Sequence, residues 1–525
     1  MPIPFLRPVA LLSLSALATL AVVSSPPALA QEALTAACVD GDANGFRCSD
    51  VDLVGRIPRL DLDIEAFPTP PTCNDIWGWT DPQTGIEYAL VGTSESTVFV
   101  SLATPSAPQI IGTLPTQTSI TLWRDIKTRG NHAYIVSEAD GHGMQVFDLT
   151  RLRDVTAPPV LFEADVVYTG AGSAHNIVID EALPYAFLVG ARQGGFACNG
   201  GGLHIVDISD PTAPTFAGCF DGDGYTHDAQ CVRYSGPDAD YQGDAVCFSS
   251  NGSFGTNDVL SISNVTDVES VTSISRTSYP FPGYAHQGWL TEDQRYFLMN
   301  DEFDEGNRDY PGAGRNGFTR TLIFDVSDLD DPVFAGAYIA NVSTSDHNLY
   351  IRGNYVYQSN YESGLRIYEL TDLANAELTL VGSFDTFPAG NLVSFSGQWS
   401  NYPFFESGLV IANDQSNGLF VLRSPVLTTA DEPTPDAAAL GLSAAYPNPF
   451  QQTTSLTLAL DRSEAVRVGV YDLLGREVAR LFEGDAVAGT TLTLTFDGHG
   501  LSSGTYVVRV VGESFAETRR LTLAR

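Results

Sequence analysis

The chain has 525 residues, a formal net charge of −36 and a hydrophobic share of 43%. That share allows a large buried core, and the length exceeds one ordinary compact domain unless the domain is a closed array of repeats. Acidity on this scale excludes a surface for nucleic acid or anionic lipid and suits divalent cations, cationic partners or a salty medium.

Residues 1–30 read as a Sec-type signal peptide. "MPIPFLR" carries one positive charge, "VALLSLSALATLAVVSS" is apolar, and the small-residue stretch "ALA" sets cleavage between Ala30 and Gln31. No later run approaches the ~18 apolar residues of a spanning helix, so no transmembrane helix is expected in the mature chain. Next comes "CVDGDANGFRC", in which Asp40, Asp42 and Asn44 have the alternate spacing of a calcium loop and Gly45 stands at the turn. Val51 occupies the place of the closing glutamate, so this is no EF-hand, and a polar turn closed by Cys38 and Cys48 is the other reading. "VDLVGRI" (Val51–Ile57) then reads as a strand without a partner of its own.

From there the chain repeats. Polar dyads open successive units at Asn74-Asp75, Arg124-Asp125, His175-Asn176, His227-Asp228, His286-Gln287, His347-Asn348 and Gly397-Gln398. Each dyad starts one strand. A second apolar run follows ("YALVGT", "AYIVSE", "AFLVGA"), then a polar glycine-containing loop, a third run ("VFVSLA", "MQVFDL", "LHIVDI"), and usually an Asp/Pro turn with a fourth run ("QIIGTL", "TFAGCF"). Units of roughly 50–60 residues with four short strands predict an all-β fold, a seven-bladed β-propeller over residues 31–423. The last unit stops at its third strand, so Val51–Ile57 is expected to supply its outer strand and close the ring.

Seven cysteines in an exported chain can oxidise. Cys231 and Cys247 lie on runs that could face each other across a hairpin. Cys38 with Cys48 and Cys198 with Cys219 are further candidate pairs, and connectivity stays open at this level.

The loops that enter each first strand and join the second to the third open on one face of such a propeller. His175, His227, His286 and His347 therefore share that face and could converge on a transition metal, as neutral imidazoles suit Fe, Zn, Cu or Ni. The alternative is that each dyad only orders the channel, since Asn74, Arg124 and Gly397 stand at the same position. Asp301, Glu302 and Asp304 form a second calcium candidate. No nucleophile elbow, zinc-protease helix, phosphate loop or dinucleotide fingerprint occurs. The expected role is therefore non-catalytic binding of an extracellular protein, glycan or small-molecule ligand, with no nucleic acid. A metal-dependent enzyme with a multi-histidine site at the channel mouth is the alternative.

Residues 424–445 read as a Pro-, Ala- and acid-rich linker. Residues 446–525 hold 8 arginines against 9 acids and alternate strongly, which predicts a small immunoglobulin-like β-sandwich.

Two family resemblances rest on these residues. "DIWGWTDPQTGIEYALVG", "WRDIKTRGNHAYIVSEADGHGMQVFDLTRLR", "YTHDAQCVRYSGPDADYQGDAVCF" and "HQGWLTEDQRYFLMNDE" resemble the choice-of-anchor B family, whose propeller consists of LVIVD-type repeats. That resemblance implies an extracellular module joined to a surface anchor and brings no activity with it. "AYPNPF" (with Tyr446, Pro447, Asn448, Pro449 and Phe450), "VYDLLGREV", "SSGTYVVRV" and "RRLTLAR" resemble the type IX secretion C-terminal sorting domain. This implies contact of residues 446–525 with the type IX secretion machinery and an extracellular or outer-membrane-surface location.

Overall fold

A computed structural model of the chain describes residues 35–64, 70–192, 198, 200–252, 258–306, 317–424, 440–442, 445, 447–448, 450–460, 463–472, 476–487, 490–502, 504–511 and 516–524. Ala30 and Gln31, which flank the expected cleavage point, most of the linker, and Tyr446 and Pro449 lie outside the described residues. The rest is nearly all β, with short 3-10 turns between strands.

Up to Arg423 the described strands form seven sheets, each with a core of four strands in up-and-down order. The first is Cys73–Thr80, Glu87–Thr93, Ser96–Ser101 and Gln109–Pro115. The dyads open the first strand of every sheet or directly precede it, as in Arg124–Arg129, Asn176–Ile179 and Asp228–Arg233. Second and third strands such as "EYALVGT" and "STVFVS" are buried along their whole length. Their side chains must be covered on both faces, which explains runs richer in apolar residues than strict alternation would give. Fourth strands such as Thr272–Ser278 and Val333–Ile339 are half-exposed and lie at the outer edges.

What buries the inner strands is the next sheet. Leu90 and Phe99 pack with Ile135 and Phe147, Val136 and Val146 with Leu188 and Val206, and Val189 and Ile205 with Cys231 and Cys247. Phe248 and Ile262 join Phe297 and Phe324, Leu298 and Ile323 join Val356 and Tyr368, and Tyr357 and Ile367 join Val410 and Phe420. Finally Ile411 and Val421 of the last sheet pack against Ala89 and Val98 of the first, so the succession closes on itself.

The seam is also closed by hydrogen bonds. Asp52–Ile57 pairs antiparallel with Gly418–Arg423 and becomes the fourth strand of the last sheet. Two further edges are covered by segments from elsewhere: the hairpin Asp42–Ala43 and Phe46–Ser49 adds to Glu377–Phe384, and Val160–Leu161 adds in parallel to Gln109–Pro115. Covering edges blunts their capacity to pair with another chain. Disulfides join Cys38 to Cys48, Cys198 to Cys219 and Cys231 to Cys247. Cys73 is a buried free thiol.

The tail forms two sheets, one of Leu440–Leu442, Thr453–Leu460 and Thr491–Asp497, the other of Glu477–Ala486, Glu464–Asp472, Gly504–Val511 and Ala516–Leu523. Alternate residues of both sheets, among them Leu456, Val468, Val470, Phe496, Val508 and Leu521, share one core. Phe450 belongs to that core, and its backbone exchanges hydrogen bonds with the last strand, accepting from Ala524 and donating to Thr522. The Asn448 side chain accepts from the Thr522 amide at 2.7 Å. Two members of "YPNPF" thus clasp the C-terminal strand, and Pro447 is exposed.

Candidate functional site

The second residue of six of the seven dyads ties one sheet to the next, whereas Asp228 accepts from the Ala229 amide in its own strand. Asp125 accepts from the Ile177 amide at 2.7 Å, and Gln287 accepts from the Leu349 amide at 2.8 Å. Asn176 donates to the His227 carbonyl and Asn348 to the Ser400 hydroxyl. These are bonds between units, which call for a polar residue at that position.

The chain's one lysine sits in this belt. Lys127 Nζ lies 2.5 Å from Asp125 and 3.4 Å from Asp75, all three buried, and over the face of Trp77. Burial opposes charge on all of them. Lys127 nevertheless stays charged and holds Asp125 below the usual carboxylate range, while burial and the adjacent Asp125 push Asp75 well above it. Burial, and then Asp125, raises Asp228 to about 8.

The first residues of the dyads gather on the other side of the belt. His175, His227, His286 and His347 stand in a row, with neighbouring ring centroids 4.3, 4.3 and 4.2 Å apart. Nδ1 of His227 donates to the His286 carbonyl at 2.9 Å, Nδ1 of His347 to the Trp399 carbonyl at 2.5 Å, and Nδ1 of His175 to Glu138 at 2.7 Å. Burial holds His227 and His286 far below the ordinary imidazole range and His347 down to about 3, so these rings are neutral at physiological pH. Arg124, at the same position in the second unit, instead turns to the Thr93 carbonyl and His142.

The histidines form the floor of a cavity of about 670 Å³. Trp123, Tyr225, Tyr284, Tyr361, Phe395 and Trp399 supply aromatic walls, and Glu138, Arg192 and Glu302 supply charge. Trp123 and Phe395 are exposed at 41% and 48%, so apolar surface continues outward from the cavity. A second cavity of about 300 Å³ is lined by Lys127, Asp228, Gln287, Trp77, Trp289 and Phe404.

All four histidines line one cavity, but their ligand atoms do not share one centre. Among the described residues, the histidine-containing set whose donor atoms lie within 4.8 Å of one another is His286, Glu302 and His347. The Glu302 carboxylate is 3.8 Å from His286 Nε2 and 4.0 Å from His347 Nε2, and it accepts from the Tyr361 hydroxyl at 2.6 Å. Burial raises Glu302 to about 7 against that hydrogen bond.

Asp301, Glu302 and Asp304 are not brought to a common cation. Asp301 is taken up by the Gly283 and Tyr284 amides and the Tyr279 hydroxyl, Asp304 pairs with Arg320, and Glu302 faces the histidines. At the other calcium candidate, Asp42 accepts from the Gly45 amide, while Asp40 and Asn44 hold left-handed backbone conformations in a turn closed by Cys38–Cys48.

Sequence reasoning missed the pairing of Glu302 with histidine. A signal was present, because Glu138 and Glu302 each directly follow a second strand and each lies beside the histidine of the following unit.

Residues 444–524 match the family described as Secretion system C-terminal sorting domain. Residues 193–222 match the LVIVD repeat. The sorting domain indicates secretion by the type IX system to the extracellular space or cell surface. No curated protein matches the chain. Among solved structures, U3-55K is similar at 7% identity over 71% of this chain and 98% of that one, with a TM-score of 0.44. The periplasmic gluconolactonase PpgL of Pseudomonas aeruginosa is similar at 12% identity over 63% and 88%, with a TM-score of 0.42. A functionally unknown protein from Desulfotomaculum acetoxidans is similar at 10% identity over 61% and 88%, with a TM-score of 0.41.

Proposed function

We propose that the protein is a non-catalytic binding protein of the choice-of-anchor B type. In this reading the seven sheets are the blades of a seven-bladed β-propeller spanning residues 31–423, a Sec signal peptide is removed after Ala30, and an immunoglobulin-like tail serves for sorting. The ring of inter-sheet cores, closing last to first, supports the blade reading.

The observation that carries the binding role is the cavity of about 670 Å³ on the histidine side of the belt. It falls within the roughly 300–1,000 Å³ of small-molecule sites and is too small for a folded partner. Aromatic walls with a few charged groups suit a small organic molecule with an apolar face and one or two polar groups.

Ligand-observed NMR with a library of aromatic and sugar fragments tests this. Binders are expected to compete for one site and to be lost in His175→Trp, whose larger ring fills part of the cavity. Binders that all persist in the folded variant, or a library without any binder, would overturn the reading.

A further inference from the structure

We propose that His286, His347 and Glu302 bind one divalent first-row transition-metal ion, with an open coordination position turned toward the cavity. This deepens the cavity reading and rests on it only for what would meet that open position.

Distance is the first argument. The carboxylate oxygens lie 3.8 and 4.0 Å from the two Nε2 atoms, too far for hydrogen bonds. Two ligand atoms that each sit ~2.0–2.2 Å from a shared ion are about 3–4 Å apart. A proton on Glu302 would not bridge either gap, whereas an ion between the three groups would.

The second argument is the direction of the lone pairs. A carbonyl oxygen only accepts, so the bond from His347 Nδ1 to the Trp399 carbonyl puts the ring proton on Nδ1. Nε2 is then a bare lone pair facing a carboxylate. Metal-binding histidines are usually fixed in this way through their other nitrogen, and ligating carboxylates usually accept a further hydrogen bond. Tyr361 supplies that second feature, donating to Glu302 Oε1 at 2.6 Å.

The donor set then selects the ion. Two imidazoles and one carboxylate disfavour calcium and magnesium, which take oxygen ligands, and suit zinc, iron or cobalt. Because the three ligands line the cavity wall, a fourth position faces the space where a small molecule would sit.

The test uses the secreted protein stripped with a chelator, titrated with Zn²⁺ by calorimetry and with Co²⁺ by visible absorption. One equivalent per chain is expected, with a cobalt spectrum of nitrogen and oxygen ligation. Glu302→Gln and His347→Ala should each weaken binding more than about 100-fold, since outer-shell changes alone cost 10–100-fold. His132→Gln, in a strand outside the cavity, should leave it unchanged. Circular dichroism establishes that each variant is folded. If the ligand variants do not fold, Tyr361→Phe serves instead, with an expected loss of about 10-fold. Absence of stoichiometric binding, or parental affinity in folded Glu302→Gln or Tyr361→Phe, would overturn the metal site. The fragment screen on stripped protein reads the cavity separately, so either idea can fail alone.

Discussion

Asp228 is a buried acid in a belt that already contains Asp75, Asp125 and a single lysine. Folding raises its pKa to about 8, through burial first and Asp125 second, with Lys127 offsetting part. Between about pH 4, where the unfolded group titrates, and about pH 8, the native state therefore holds a proton that the unfolded state has lost. The contribution of Asp228 to stability falls as pH rises through that window, by about 1.4 kcal/mol for each pH unit crossed, and levels off above it. Asp228→Asn removes this dependence, so its urea midpoint should gain on the parent from pH 5 to pH 9. Parallel midpoints across that range would show that Asp228 does not titrate as its burial implies. The dyads themselves were legible in the sequence, because a polar residue recurring at one phase of a repeat must serve one geometric purpose. The pairing of Glu302 was legible only through its likeness to Glu138, which also follows a second strand, because His286 and His347 reach Glu302 from two different units and such contacts leave no local period.

At the scale of elements, the four-run grammar of each unit matches the four-strand cores, since β-branched and aromatic runs separated by Gly, Asn and Asp-Pro turns have few other stable arrangements. The pairing of Val51–Ile57 was legible because an unpartnered strand at the start and a missing strand at the end imply each other. The hairpin on Glu377–Phe384 and the parallel addition of Val160–Leu161 were not, because either could have added to any free edge. The seam also depends on a single glycine. Gly418 begins the third strand of the last sheet with φ of +89°, and a Cβ there would come within 2.3 Å of the Ile57 carbonyl oxygen. Gly418→Ala therefore meets both backbone strain and a clash with the strand that closes the ring. We expect a loss of about 2 kcal/mol or more in chemical denaturation. We also expect faster amide exchange in Asp52–Ile57 than in strands of the fourth sheet, such as Ala245–Asn251. A loss spread evenly over all sheets would mean that the seam is no weaker than the rest.

At the scale of the whole molecule, two parts with different chemistry share one chain. The tail holds 8 arginines against 9 acids, so nearly all of the net charge of −36 falls on the residues before it. The seven sheets draw their cores from one another and close from last to first, whereas the tail has a hydrophobic core made only of its own residues. Neither core contains a residue of the other, so each part has the material to fold alone. In the tail, Asn448 and Phe450 of the "YPNPF" stretch bind the last strand, so the recognisable motif first holds the sandwich together. Removing residues 446–525 should therefore leave the seven-sheet body with its disulfides and its cooperative unfolding, while the truncated protein accumulates inside the cell envelope. Cell fractionation with immunoblotting reads location, and circular dichroism with non-reducing electrophoresis reads folding. Phe450→Ala, which empties a core site of the tail without deleting it, should cost about 3 kcal/mol or more in the stability of the tail and reduce export in proportion. A truncated chain that still reached the surface would show that the body carries its own export signal. A Phe450→Ala chain exported at the parental level would show that the machinery reads the tail as a linear sequence rather than as a folded domain.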